Sequence, residues 1–262
     1  MPIIRSLYES PMDFYDLSKE KRTKINEEIK QKITRDLDTH HHTSILSYFS
    51  NPDTYIRKNT YLIIGQYYNN HPKKHHNILE VLQILYQSTD EKVRQSVMHA
   101  CGEIGKKDAE NVLDLLNAGL TDPHHAVRNA VIGAIKQMGK KNPTPTMEFA
   151  KQFLHHQNPE VRREIIHGIE LRGRTHPEDI LPLLTEVQHD TDKKVQSYIV
   201  HVLGQISYKK ECLEKVIDIL KTWENQIIVQ KALKEILEVH ARYEKFSEKT
   251  YAEAKTYIIH HM

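Results

Sequence analysis

Apolar positions in the middle of the chain follow a helical period, and the same arrangement then recurs along the chain. Val127, Ala130, Val131, Ala134, Ile135 and Met138 fall at i, i+3, i+4, i+7, i+8 and i+11, which is one continuous stripe on an amphipathic helix. Val93, Val97, Ala100, Cys101 and Ile104 repeat that stripe one copy earlier. Each stripe is preceded by a second amphipathic stretch, such as Ile78-Leu79-Val81-Leu82-Leu85, Val112-Leu113-Leu115-Leu116-Leu120, Met147-Phe149-Ala150-Phe153-Leu154, Ile180-Leu181-Leu183-Leu184-Val187 and Val216-Ile217-Ile219-Leu220-Trp223. The unit is therefore helix, short turn, helix.

The turn carries a recurring phrase, an Asp or Asn followed by a β-branched residue and then usually Arg. It reads Asp53-Thr54-Tyr55-Ile56-Arg57, Asp90-Glu91-Lys92-Val93-Arg94, Asp122-Pro123 leading to Val127-Arg128, Asn158-Pro159-Glu160-Val161-Arg162 and Asp192-Lys193-Lys194-Val195-Gln196. The anchors Ile56, Val93, Val127, Val161 and Val195 are separated by 37, 34, 34 and 34 residues, and a degenerate sixth copy follows at Val229-Gln230. Asp and Asn suit the start of a helix because their side chains accept its free N–H groups, and Pro123 and Pro159 are tolerated in a first turn. Gly105, Gly139 and Gly173 stand 12 residues past three anchors, where a helix takes a C-terminal glycine cap. A helix pair this short cannot bury its own apolar face, so neighbours must stack.

This pattern resembles the HEAT-like repeat family, marked by an Asp-Pro-like turn and Val-Arg near the start of the second helix. A 34-residue period also suits tetratricopeptide repeats, but their Trp, Gly-Tyr and terminal Pro positions are missing. The resemblance implies an all-α, right-handed superhelical solenoid of about six stacked helix pairs. It also implies pairing of Asp53, Asp90, Asn158 and Asp192 with Arg57, Arg94, Arg128 and Arg162 between adjacent repeats. Leu17, Ile25, Ile29, Ile33 and Leu37 form the narrow stripe of a helix with one wet face, and Tyr251, Ala254 and Ile258 suit a cover for the last repeat. The expected organisation is an N-terminal arm and capping helix over 1–39, repeats over 40–240, and a C-terminal capping helix over 241–262.

Composition agrees with mostly helix. Glycine and proline together number 19 of 262 residues, about 7% where ordinary usage is roughly 12%, which argues against turn-rich β folds and Gly-looped nucleotide folds. Cys101 and Cys212 cannot build a disulfide framework or a Cys-rich zinc site, so a reducing, cytoplasmic setting is expected. No run of 18 apolar residues exists, and Met1-Pro2-Ile3-Ile4-Arg5 lacks the apolar stretch of a signal peptide. A membrane is not an expected partner.

Charge nearly cancels, 37 basic residues against 35 acidic, which predicts no strong nucleic-acid field over the whole surface but leaves room for a local basic face. Solenoids bind through the row formed by successive second helices. Two and six residues past each anchor, that row reads Lys58, Gln95, Asn129, Arg163, Ser197 and Lys231, then Leu62, His99, Gly133, His167 and His201. Lys136, Lys106, Lys140 and Arg174 follow farther along. The candidate binding face is accordingly Lys58, Gln95, His99, Asn129, Lys136, Arg163, His167, His201 and Lys231, a basic concave lining for a protein or for duplex DNA. His167 and His201, one repeat apart, are expected at roughly 10 Å from each other.

The chain is also similar in architecture to bacterial HEAT-like DNA alkylation-repair glycosylases, most of all over His201-Val202-Leu203-Gly204-Gln205-Ile206 and Val216-Ile217-Asp218-Ile219-Leu220-Lys221-Thr222-Trp223. That similarity implies duplex DNA in a basic groove and, if the chain is an enzyme at all, base excision from alkylated DNA. Those enzymes use aromatic side chains and an acid in the cleft. Here Trp223 continues an apolar stripe and belongs to the core, and Glu103 and Glu170 read as solvated charges with no aromatic beside them in sequence. No hydrolase, phosphate-loop, dinucleotide or metalloprotease template is present, so the reading leans away from catalysis and assigns no catalytic residue, cofactor or metal ligand. Adjacent histidines such as His40-His41-His42, His75-His76, His124-His125, His155-His156 and His260-His261 lie near turns or ends, where they rarely converge on one metal. Cys101 is a packing residue, and Cys212 falls near a helix start, where a thiol pKa can be lowered.

Overall fold

The computed structural model describes residues 14–262. The arm expected at the start of the 1–39 segment therefore lies largely outside the described residues. Among those described there are fourteen α-helices and no strand, an all-α repeat fold. They are α1 (Lys19–Thr39), α2 (Thr43–Phe49), α3 (Thr54–Asn70), α4 (His75–Tyr86), α5 (Glu91–Gly105), α6 (Leu113–Leu120), α7 (His125–Lys141), α8 (Pro143–Phe153), α9 (Pro159–Gly173), α10 (Pro177–Glu186), α11 (Lys193–Ser207), α12 (Leu213–Leu220), α13 (Gln226–Arg242) and α14 (Tyr251–His261). From α2 to α13 they alternate as six pairs, a first helix and a longer second one. Five anchors, Ile56, Val93, Val127, Val161 and Val195, occupy the third residue of their second helix; in the degenerate copy Val229 is one residue later. The chain divides into two compact units at Ala100 and Cys101.

In the first unit α1, α2 and α3 pack on one another, and α4 joins α1 and α3. Ile29, Ile33 and Leu37 are buried on α1, as the stripe predicts, and meet a core that contains Ile45, Phe49, Ile64, Tyr68, Ile78 and Leu82. Asp36, itself 6% exposed, takes the Ser44 and Ile45 N–H groups at 2.7 and 3.1 Å and so opens α2 from a neighbouring helix.

In the second unit the long helices α7, α9, α11 and α13 pack side by side, with α8, α10 and α12 joining them and α14 closing on α12 and α13. Val127, Ala130, Val131, Ala134, Ile135 and Met138 are all buried, so the whole predicted stripe faces the core. Each fully buried Val or Ile of such a stripe contributes about 1.5–3 kcal/mol. Trp223 is 1% exposed but lies past the end of α12, where its indole N–H donates to Thr185 Oγ1 at 2.9 Å. Ala254 and Ile258 are buried on α14, whereas Tyr251 is 40% exposed.

The turns depart from expectation in two ways. Asp53, Asp90, Asn158 and Asp192 do accept N–H groups at the start of α3, α5, α9 and α11, at 2.7 to 2.9 Å. In the third copy, however, the turn is longer: His124 is the cap, its Nδ1 accepting the Ala126 N–H, while Asp122 takes the His124 N–H and Pro123 lies outside the helix. The arginines do not ladder with the capping Asp and Asn side chains. Arg57, Arg94, Arg128 and Arg162 each send Nη1 back to the carbonyls six and five residues earlier, at 2.6 to 3.2 Å. Gln196 keeps the first of these contacts, donating to Asp190 O at 2.8 Å. Arg162 also makes a bidentate bridge to Asp190 of the neighbouring repeat, at 2.6 and 2.9 Å.

The spaced glycines have another purpose than the left-handed cap expected of them, since no glycine among the described residues has positive φ. A Cβ on Gly105 would stand 2.6 Å from Met138, and one on Gly173 2.5 Å from Ile206. These glycines leave room for a large side chain from the next repeat.

Candidate functional site

The proposed row occupies positions that the helix geometry leaves accessible. None of the nine is fully buried: Lys58, Asn129 and Lys231 are exposed, and Gln95, His99, Lys136, Arg163, His167 and His201 are half-buried. Their surroundings differ between the units. In the first, the His99 ring stacks on Tyr61 at 4.9 Å, and its pKa is pushed down from 6.5 to about 4 by burial and by the Arg57 charge.

In the second unit Lys136, Arg163, His167 and His201 are brought together by α7, α9 and α11 around carboxylates, among them Glu170, which the sequence reads as a solvated charge. Glu170 is 3% exposed. Its Oε2 is 3.4 Å from Lys136 Nζ, 3.5 Å from His167 Nε2 and 3.8 Å from His201 Nε2. Arg174 bonds its other oxygen and reaches Gln205 at 2.7 Å. The two histidine rings are 6.4 Å apart, closer than the stacking estimate. His167 is pushed down to about 4, first by burial and then by Lys136, against the pull of Glu170. Burial also lowers the Lys136 pKa, opposed by Glu170.

A second buried carboxylate, Glu164, is 1% exposed and was not foreseen. Arg128 Nε donates to it at 3.0 Å and Arg163 Nη2 approaches at 3.4 Å, while burial holds its pKa above the ordinary range. Arg163 also bonds Glu160 at 2.8 Å and lies over the Tyr198 ring, 5.1 Å from its centroid. Tyr198 in turn contacts His167 and His201 at 5.3 and 6.1 Å. An aromatic group therefore does stand near Glu170, supplied by the next repeat and invisible in local sequence.

The signal for these pairs was the repeat register. Lys136 and Glu170 are 34 residues apart, as are Glu160 and Lys194, which meet at 3.3 Å. Opposite charges at one position of successive repeats are neighbours on adjacent helices. Glu164 and Tyr198 likewise occupy a position that Ala130 and Ala232 fill in other copies. Glu103, by contrast, is half-buried and held by Lys106 at 2.6 and 2.7 Å.

No group of three His, Cys, Asp or Glu side chains among the described residues is placed to hold a metal ion. Burial raises both thiols, Cys101 to about 12 and Cys212 to about 11, which corrects the lowered pKa considered for Cys212. No helix among the described residues is long and apolar enough to cross a membrane.

The sequence matches the family described as HEAT repeats over residues 78–148 and 146–236. Among solved structures it is similar to AlkD2 from Streptococcus mutans, at 19% identity and a TM-score of 0.53, over 79% of this chain and 98% of that one. A second Streptococcus mutans protein, smu.31, aligns at 20% identity with a TM-score of 0.47, over 78% and 97%. No curated protein matches the sequence.

Proposed function

The chain belongs to the HEAT repeat family, and from that premise we propose that it is a non-catalytic scaffold whose second helices bind an acidic segment of another protein. In the second unit the contacts are assigned to Asn129, Lys136, Arg163, His167, His201 and Lys231. Lys58, Gln95 and His99 are assigned the same role in the first. The helices at either end, over 1–39 and 241–262, act in this reading as caps.

The observation that carries the reading is the mixed charge of the row. Lys136 and Arg163 are engaged by Glu170, Glu160 and Glu164. Duplex DNA presents a phosphate about every 1.7 Å of axis and rewards a long track of free cations. A lining that alternates cation with carboxylate suits discrete acidic side chains instead, and penalises a continuous polyanion. The test compares a labelled peptide whose glutamates are separated by Gly-Ser pairs with a 20-base-pair duplex, each titrated at about 50 and 200 mM salt. The peptide is expected to bind, and to be lost on combined Lys58→Ala, Arg163→Ala and Lys231→Ala. A duplex affinity that falls about 1,000-fold or more over that range overturns the reading in favour of nucleic acid.

The second reading, a duplex-DNA-binding protein of the alkylation-repair type, is favoured by one feature, the gathering of Tyr198, His167 and His201 around buried Glu170. It requires release of alkylated bases that Glu170→Gln abolishes; without such release the scaffold reading stands.

A further inference from the structure

Between α9 and α11 the second unit has an open recess of about 480 Å³, lined by Glu160, Arg163, Lys193, Lys194, Ser197 and Tyr198. We propose that this recess receives a phosphate monoester, a ligand chemistry that deepens and rests on the protein-binding reading above. The three lining cations outnumber Glu160, with Glu164 behind Arg163 as a second carboxylate, so the recess keeps a net positive charge, and a phosphate monoester carries about −1.5 to −2 at neutral pH.

The cations differ in how tightly they are held. Arg163 is fixed between the Tyr198 ring and Glu160, and its Nε is buried without a hydrogen-bond partner, so a shift of the guanidinium toward an anion in the recess would give that donor an acceptor. Lys194 is 75% exposed and only loosely tied to Glu160 at 3.3 Å, and Lys193 is exposed. These two lysines are free to fold onto an incoming anion. The N-terminus of α11 is not itself the receptor, because Asp192 Oδ1 already takes the Lys194 and Val195 N–H groups at 2.8 and 3.0 Å.

Charge density decides between a monoester and a nucleic-acid backbone. The flanking cations Lys136 and Arg162 are bridged to Glu170 and Asp190, and Arg163 is shared between Glu160 and Glu164, so the charge still open to a ligand is concentrated on the two exposed lysines, Lys193 and Lys194. A phosphodiester brings a single charge to each point and relies on a track, whereas a monoester concentrates its charge on one group. The recess is also larger than a phosphate alone, which leaves space for the side chain that bears it.

The test uses the full chain and fluorescence anisotropy of a labelled pentapeptide with a central phosphoserine, beside its unphosphorylated twin. The phosphopeptide should bind about tenfold or more tightly, with Lys193→Gln and Lys194→Gln together removing most of that gain and leaving the thermal melt unchanged. Inorganic phosphate should compete, which identifies the phosphate group as sufficient; a phosphopeptide that binds while inorganic phosphate does not compete assigns recognition to the peptide and overturns the recess. Equal affinity of the two peptides, or phosphopeptide affinity untouched by the double substitution, overturns the proposal. Displacement by a 12-base-pair duplex with a steep salt dependence overturns it in favour of nucleic acid. If the spaced-glutamate peptide binds and the phosphopeptide shows no advantage, the recess assignment falls while the scaffold reading survives; if neither binds, both fall.

Discussion

His167 shows how one side chain couples the binding face to stability. In the fold its pKa is pushed down from 6.5 to about 4, so the unfolded chain takes up a proton at a pH where the folded chain does not. The stabilisation from keeping this ring neutral is intact above pH 6.5 and is lost as the pH falls toward 4. The melting temperature should drop across that window, and His167→Asn should make the drop shallower. His99 shares the direction of the shift in the first unit. Backbone geometry offers a separate residue-scale prediction. Glu211 is held at φ 58°, a left-handed conformation that costs a side-chain-bearing residue roughly 1–2 kcal/mol. Glu211→Gly should therefore raise stability by up to about 1 kcal/mol in urea titrations, offset in part by the freer unfolded chain. Gly102→Ala should do the reverse, since its Cβ would stand 2.9 Å from both Cα and Cβ of Ala134, and about 1–3 kcal/mol of overpacking is expected.

Among helices, Arg162 combines two features, the grip on its own turn and a bidentate bridge to Asp190. Arg162→Ala should cost about 2–3 kcal/mol in chemical denaturation, more than Arg57→Ala, and Arg162→Lys should restore little because an ammonium cannot reproduce the planar fork. The positions of these helices were legible in the chain because apolar spacing and anchor spacing report the same repeat. Their contacts were less so. A 34-residue period gives which residues share a register, and so contains the Lys136–Glu170 pair, but reading each helix alone assigned Glu170 to water. The Arg side chains were assigned to Asp and Asn side chains, while the acceptors they share from copy to copy are carbonyl oxygens, which a sequence does not display. The glycines were read for backbone freedom when their value lies in missing volume beside Met138 and Ile206.

At the scale of the molecule, stacked repeats draw most of their contacts from neighbours, and cooperativity across the full chain is limited accordingly. The single tryptophan, Trp223, is buried in the second unit and reports on that unit alone. Urea unfolding followed by Trp223 emission should not superimpose on unfolding followed by far-UV circular dichroism, which samples helices of both units. Coincident curves would show that the units melt as one. The grip of the recurring Arg on main-chain oxygens has a further bearing on how such a chain varies. The gripped residues are Asn51-Pro52, Ser88-Thr89, Asp122-Pro123 and His156-Gln157, four unrelated dipeptides held in one way. Because the clasp reads only the peptide backbone, loop identity is free to drift between copies, and new surface chemistry can enter at these corners without disturbing the bend inside each helix pair.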